Sequence, residues 1–178
     1  MNSQFRQHLR ERSGQALVEA IVALSVLTVG FFSILGFLIG AAGSTGRAVD
    51  QTAASFLAAE GLEIVKGAVE RFRVIGDFNN FPRGCFEVDI KNGLGDDPAN
   101  WPTIPGGGQC GQGRFSQTPL NFDGGFYDYD SGTATKFLRT IDVERASANS
   151  IRTRSIVQWN DKGGIRKEVS YEAYFYDY

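Results

Sequence analysis

An apolar stretch over residues 20–43 leaves fewer folds open to this chain than any other feature of the sequence. It contains 24 residues and no charged side chain. As an α-helix with about 1.5 Å rise per residue it would be roughly 36 Å long, which is enough to cross the hydrocarbon core of a bilayer. The sequence therefore predicts a membrane-spanning helix near the amino terminus.

A carboxylate stands directly before this stretch. Glu19 follows Ala16, Leu17 and Val18, so insertion of the helix would carry its charge into or near the hydrocarbon. A charged side chain costs roughly 2.5–3.5 kcal/mol at the bilayer centre and less near the interface. Glu19 is therefore either solvated at the level of the headgroups or matched by a positively charged partner.

Residues 1–14 form a basic leader with three arginines and one glutamate. A secretory signal has an apolar core of about 7–15 residues, followed by a cleavage site with small side chains. The apolar core of this chain is longer. We therefore expect a retained span, with cleavage after Ala42 or Gly43 as the alternative.

The residues around this junction resemble the processing motif of type IV pilins and pseudopilins. That motif is a glycine, a cleavable bond, a mostly apolar tetrapeptide and a glutamate as the fifth mature residue. Gly14, residues 15–18 and Glu19 match it position by position. Residues 20–27 and 57–63 look most like PilV-type minor pilins, so the resemblance extends over about a third of the chain.

The resemblance implies that a prepilin peptidase cuts between Gly14 and Gln15 and methylates the new amino terminus. It also implies that Glu19 pairs with the terminal amine of a neighbouring subunit, because a lone charge in a low-dielectric core is costly. Gln15 departs from the family, which usually has phenylalanine there. Because a free terminal glutamine can cyclise and lose its amine, we predict that methylation of Gln15 preserves the pairing.

The implied partners are the prepilin peptidase, other pilin subunits, and the pilus or secretion assembly machinery. The resemblance places the chain in the inner (cytoplasmic) membrane as a single-pass protein with its carboxy-terminal domain outside. After assembly it would belong to a cell-surface or periplasmic filament. Pilus and type II secretion subunits share the amino-terminal motif, so the motif does not distinguish them.

Gly36 lies in the middle of the span, four residues before Gly40. This spacing is typical of closely packed membrane helices. Gly36 would also be residue 22 of the mature chain, where many pilins have a helix-breaking proline. The resemblance thus offers a second interpretation, in which the helix melts at Gly36 on leaving the bilayer.

Charge and histidine content argue against nucleic-acid binding and catalysis. The chain has 18 basic and 20 acidic residues, which become 15 and 19 without the leader, so no general attraction to nucleic acid is expected. The single histidine, His8, lies in the leader. A mature chain without histidine lacks the commonest general base and zinc ligand, and we expect neither an enzyme nor a cofactor.

The helical pattern continues beyond the span and becomes amphipathic over residues 47–75. Charged residues recur at spacings of three and four on the face opposite an apolar arc. The arc consists of Leu57, Leu62, Ile64, Val65, Ala68, Val69, Phe72 and Ile75. It needs a surface to cover, and the strands that follow would supply one.

Three segments beyond residue 136 alternate as β-strands do: residues 137–143, 151–159 and 165–175. Residues 161–164 would join the last two as a hairpin. These segments predict an antiparallel sheet of three or four strands with one apolar face.

Cys85 and Cys110 are the two cysteines of the chain. Residues 85–90 would form a short strand that ends in an Asn92-Gly93 turn. In an exported protein we expect a disulfide, which would stabilise the fold by roughly 3 kcal/mol through loop closure. Two free thiols are the alternative, since two cysteines alone cannot build a structural zinc site.

Three carboxylates cluster farther along the chain, at Asp123, Asp128 and Asp130. Calcium prefers oxygen ligands, but this spacing is not that of an EF-hand loop. The cluster is a weak calcium candidate, and no metal site is predicted.

Together these patterns predict a pilin-like α+β fold, with a long amino-terminal helix, membrane-spanning in its first half, packed on a small antiparallel sheet. The expected divisions are a leader (1–14), a transmembrane or filament-core helix (15–43), its amphipathic half (44–76), and a globular β domain (77–178) with a long loop region (93–135).

The predicted function is structural, as a minor pilin or pseudopilin of a type IV pilus-like filament that assembles through its amino-terminal helix. The alternative is an uncleaved, membrane-anchored extracytoplasmic binding domain whose loops over residues 93–135 recognise a ligand. A secreted enzyme is the weakest of the three hypotheses. Processing of the leader distinguishes the first two.

Overall fold

The computed structural model describes residues 3–95, 97–106, 109–161 and 163–178, and for 3–13, 94 and 95 it describes the backbone only. Residues 1 and 2 of the predicted leader thus lie outside the described residues. The chain divides into two compact units, Met1–Ala48 and Val49–Tyr178, and each is treated by itself below.

One long helix, α1 (Ser3–Val74), contributes to both units. No proline occurs before Pro82, so nothing in the sequence removes a backbone donor from the helix interior. Within the first unit every side chain over residues 14–40 is exposed. The helix is therefore an apolar surface without a covering layer in this unit.

The carboxy-terminal end of α1 is set by Gly76. This glycine has φ +75°, a left-handed conformation that a side chain disfavours. Its amide donates to the carbonyl oxygen of Arg73 at 3.0 Å, and the amide of Asp77 donates to that of Phe72 at 2.9 Å. These two bonds form a Schellman motif, which satisfies carbonyl groups that the helix end would leave open.

In the second unit, α1 buries the face that the sequence predicts. Val65, Ala68 and Val69 are fully buried and Ile64 is 3% exposed, whereas Ile75 is exposed beyond the helix end. Each buried side chain of this size stabilises the fold by about 1.5–3 kcal/mol. The amphipathic pattern therefore identified the surface that packs on the sheet.

Within the described residues the second unit contains a six-stranded antiparallel sheet and a separate two-stranded pair. The sheet has the strand order β5-β4-β6-β7-β8, and β1 also pairs with β6. The strands are β1 (Gly84–Phe86), β2 (Gln109–Cys110), β3 (Gly113–Arg114), β4 (Pro119–Phe122), β5 (Tyr127–Asp128), β6 (Thr133–Ser147), β7 (Ser150–Asn160) and β8 (Arg166–Tyr176). The parallel pair is β2 with β3.

The long strands β6, β7 and β8 confirm the predicted antiparallel sheet, and α1 packs on it. Two apolar clusters join the helix to the strands. One combines Val65 and Val69 with Ile141 and Val143, among others. The other includes Leu57, Ala58, Phe137, Val157 and Trp159. The fold is therefore α+β, as expected.

The segment after β1 differs from its predicted structure. The strand expected over residues 85–90 ends at Phe86, and a short helix, α2 (Ile90–Gly95), replaces the expected Asn92-Gly93 turn. The reason is Asp89, whose Oδ1 accepts the amides of Lys91 and Asn92, both at 2.9 Å. Such a cap satisfies the open donors of a first helical turn and starts a helix.

The region predicted as loop, residues 93–135, contains short elements. A 3-10 turn at Pro98–Asn100 and the strands β2, β3, β4 and β5 lie within it. These strands have two to four residues each. Alternation cannot be recognised over so few positions, so their pairing depends on tertiary contacts.

Candidate functional site

The residues of the processing motif lie on α1 and are exposed. Gly14 and Gln15 are adjacent on the helix, and Glu19 lies about one turn farther along. Among the side chains that the structure describes, none pairs with Glu19. Its carboxylate is therefore available to a group outside the described part of the chain.

The surface that follows Glu19 is apolar on every side. Leu24 is 62% exposed and Phe37 is 75% exposed. The helix is long and apolar enough, by length and composition, to cross a membrane once. A Cβ added at Gly36 or Gly40 would meet no atom within 4 Å, so a neighbouring helix could approach closely along this stripe.

In the second unit, α1 lies close against the sheet at Gly61. A Cβ at this position would lie 2.4 Å from Ser155 Oγ and 2.9 Å from Ile141 Cδ1. Neither distance is compatible with an unshifted side chain. Gly61 therefore fixes how near the helix lies to strands β6 and β7.

A buried arginine links the helix to the sheet beside this contact. Arg139 on β6 is fully buried. Its Nη1 donates to the carbonyl oxygen of Leu57 at 3.1 Å and to Glu60 Oε1 at 3.3 Å, and its Nη2 donates to the carbonyl oxygen of Val88 at 2.7 Å. One guanidinium thus joins α1, β6 and the segment before α2.

Cys85 and Cys110 form a disulfide with a Cα–Cα distance of 5.5 Å. Both cysteines are buried in a small apolar cluster with Ile104. The loop between them also pairs with β1, since the amide of Ile104 donates to the carbonyl oxygen of Cys85 at 2.9 Å. The disulfide and this pairing hold the loop against the β1 edge of the sheet.

Two of the three aspartates of the calcium candidate, Asp123 and Asp128, have protein partners for their carboxylates. Asp123 Oδ1 accepts the amide of Phe126 at 2.8 Å, one of the backbone bonds that lower the pKa of Asp123. Asp128 Oδ2 lies 2.5 Å from Lys91 Nζ, and this bond lowers the pKa of Asp128. Asp130 donates its amide to Asp128 Oδ1 at 2.9 Å. Within the described ranges, no group of three acidic, cysteine or histidine side chains is arranged to hold a metal.

The contact formed by Glu60, Gly61 and Arg139 was not predicted from the sequence. A signal was present in the pattern 137–143, where Arg139 occupies a position on the apolar face of a predicted strand. A buried charge needs a partner, and a carboxylate on the opposing apolar arc would have been the natural candidate. Glu60 lies at the border of that arc.

Comparisons with known proteins assign no family to this chain. No protein-family model, curated protein or solved structure matches it.

Proposed function

We propose that this chain is a structural subunit, a minor pilin or pseudopilin, of a type IV pilus-like filament. A prepilin peptidase would cut it between Gly14 and Gln15, and it would assemble through α1. One observation carries this proposal. Within α1, the motif from Gly14 to Glu19 directly precedes a stretch that is apolar and exposed over residues 20–40, and the helix packs on a sheet beyond residue 49.

The exposed apolar half needs a non-aqueous environment. Before assembly the inner membrane supplies it, with the sheet domain on the extracytoplasmic side. After assembly, the helices of other pilin subunits supply it. The disulfide between Cys85 and Cys110 supports an oxidising compartment for the sheet domain.

Glu19 supports assembly between chains because no described side chain of its own chain pairs with it. A carboxylate surrounded by apolar side chains favours a positively charged partner. The methylated terminal amine of Gln15 in a neighbouring subunit has the required charge. The pair would fix the register of one subunit against the next.

The amino-acid composition of the mature chain also fits a structural role. No histidine follows residue 14, so the mature chain lacks the commonest general base of enzymes. The sheet domain would then act as the part of the subunit that is displayed on the filament, whether in a pilus or in a secretion pseudopilus.

The test is the intact mass of the membrane-extracted protein, expressed with and without a prepilin peptidase. With the peptidase we expect a chain that lacks residues 1–14 and carries one additional methyl group at Gln15. Gly14→Val should abolish processing because the peptidase would no longer find its small residue. Gly30→Val, a matched change within the apolar stretch, should leave processing intact.

Three outcomes would contradict the proposal. A chain that still begins at Met1 with the peptidase present would favour the anchored binding domain. A chain that begins after Gly43 would indicate a secreted domain. Loss of ammonia from Gln15 in place of a methyl gain would remove the amine that Glu19 requires.

A further inference from the structure

An open cleft of about 440 Å³ lies at the β1 edge of the sheet, beside the disulfide. It forms where β6 continues past β1, since Gly84 is opposite Val143 and residues 144 and 145 extend farther. Its lining comes from β1 and the residue before it, from β2, β3 and β6. Among the described residues that line it, none belongs to α1.

Three arginines line this cleft: Arg83, Arg114 and Arg145. Arg114 Nε donates to the carbonyl oxygen of Ile104 at 2.7 Å, and Arg145 Nη1 donates to that of Ala148 at 2.7 Å. Arg83 is exposed, and no described group pairs with it. Arg145 is bound more fully, because its Nη1 also donates to Asn79 Oδ1 at 2.9 Å and its Nη2 donates to the carbonyl oxygen of Asn79 at 2.6 Å. Arg145 therefore contributes charge to the cleft, whereas Arg83 and Arg114 keep N–H groups for a ligand.

The carboxylates of the cleft cancel only part of this charge, because other arginines pair with them. Asp142 Oδ2 accepts from Arg154 Nε at 2.9 Å and from Arg154 Nη2 at 2.6 Å. Glu144 accepts from Arg152 Nη2, and Arg152 Nη1 also lies 3.8 Å from Glu172 Oε2. One negative charge therefore remains beside the three lining arginines, and the cleft keeps a net positive charge.

The surplus is unusual for this domain. Residues 49–178 contain 14 basic and 18 acidic residues, so the domain as a whole is negatively charged. The electrostatic potential of such a domain is positive at the cleft and negative over the rest of its surface. Anions are therefore attracted to the cleft and repelled elsewhere. The cleft is therefore a local positive site and not part of a general basic surface.

We propose that this cleft binds a multiply charged oxyanion, either a phosphate group or neighbouring carboxylates. Guanidinium groups match such oxygens with paired, charge-assisted hydrogen bonds. The volume is within the range of small-ligand sites, about 300–1,000 Å³. Since α1 does not line the cleft, binding does not depend on leader processing or on the proposed role in a filament.

The test is a calorimetric titration of the full-length protein in a neutral detergent at low ionic strength. The probes are inorganic phosphate and citrate, with acetate as a singly charged control. We expect phosphate or citrate to bind at least about tenfold more tightly than acetate, and the stronger of the two identifies the group that fits.

Two charge-reversed variants separate the cleft from the rest of the surface. Arg83→Glu should weaken binding of the better probe by at least about tenfold. Arg166→Glu makes the same change at an exposed arginine on β8, outside the cleft lining, and should bind as the unaltered protein does. Neither arginine is buried, so both variants should fold.

Two results would overturn the proposal. One is the absence of saturable binding of phosphate and citrate up to about 10 mM, or equal binding of acetate. The other is an equal loss in Arg83→Glu and Arg166→Glu, which would show that net charge alone is responsible.

Discussion

Residues 14–48 and residues 49–74 belong to one helix but present different surfaces. In the first segment Leu24 and Phe37 are 62% and 75% exposed, whereas in the second Leu57 and Val65 are 2% and 0% exposed. The first segment is apolar on all sides over residues 20–43, and the second is apolar on one face. Both segments are thus helical. They differ in the distribution of their apolar side chains, which decides what kind of surface must cover each segment.

The two segments obtain their stabilisation from different sources. The sheet covers the second segment, so burial contributes to folding within this chain. The first segment gains nothing comparable from the described part of its own unit. Its apolar side chains must be covered by lipid or by other chains, which is the physical basis of the proposed function.

Introducing a charge should separate the two segments most strongly. We expect Val65→Asp to destabilise the sheet domain by more than about 4 kcal/mol, because it buries an unpaired carboxylate. Phe56→Asp, on the exposed face of the same segment, should change stability by less than about 0.5 kcal/mol. Near-ultraviolet circular dichroism during urea unfolding reports both values.

The same substitution in the first segment should act on membrane association only. Leu24→Asp should leave the unfolding midpoint of the sheet domain unchanged and reduce membrane insertion by about 2.5–3.5 kcal/mol. A shift of the midpoint comparable to that of Val65→Asp would show that residues 14–48 contribute to the fold of the sheet domain.

Removal of the disulfide should weaken the second unit by a smaller amount. Paired Cys85→Ser and Cys110→Ser substitutions should destabilise it by about 3 kcal/mol, because the reduced chain regains the entropy of a loop with a sequence separation of 25. Helical content of residues 14–48 should not change. Urea unfolding of the doubly substituted protein, compared with the oxidised protein, tests this value, and an unchanged midpoint would contradict it.

Glycine to alanine substitutions should change stability in opposite directions in the two segments. Gly61→Ala should cost about 1–3 kcal/mol because the new methyl group overlaps Ser155 and Ile141. Gly46→Ala, where a Cβ meets nothing within 4 Å, should favour the helix by about 0.5–1 kcal/mol. Thermal unfolding and helix content measure both effects. If Gly61→Ala and Gly46→Ala had equal effects, close packing at Gly61 would be refuted.

Acid should produce the smallest effect, again in the second unit. The bond to Lys91 lowers the pKa of Asp128, so its carboxylate stabilises the fold above the ordinary aspartate pKa of about 3.9. This contribution is lost as the pH falls through the lower folded-state pKa. Burial raises the pKa of Asp142, which acts in the opposite direction. The free energy of unfolding of Asp128→Asn and of Asp130→Asn, each measured as a function of pH, isolates the Asp128 contribution. If stability fell in the same way for both variants at acid pH, that contribution would be disproved.

Sequence alone predicted the elements with long, repeated patterns. The amphipathic arc of α1 and the alternation in β6, β7 and β8 extend over enough positions to identify both the structure and the buried face. The helix α2 was missed because a single side chain, Asp89, decides between helix and strand there. The strands β2 to β5 are too short to carry a pattern.

The functional residues also divide into those that the sequence predicts and those that only the structure shows. Gly14, Gln15 and Glu19 are adjacent in sequence, so their motif is visible without a structure. The link between Glu60 and Arg139 joins residues 79 positions apart. The arginine cleft likewise unites residues from four strands. Contacts of this kind depend on the pairing of distant segments, which no local pattern specifies.

If the chain assembles as proposed, other subunits cover the apolar half of α1 after processing. A photo-crosslinking amino acid at position 24 tests this, with position 65 as the buried control. We expect crosslinks from position 24 to other pilin chains only when the prepilin peptidase is present, and crosslinks from position 65 within the chain in all cells. Crosslinks from position 24 that do not change with the peptidase, or that reach only lipid, would contradict it.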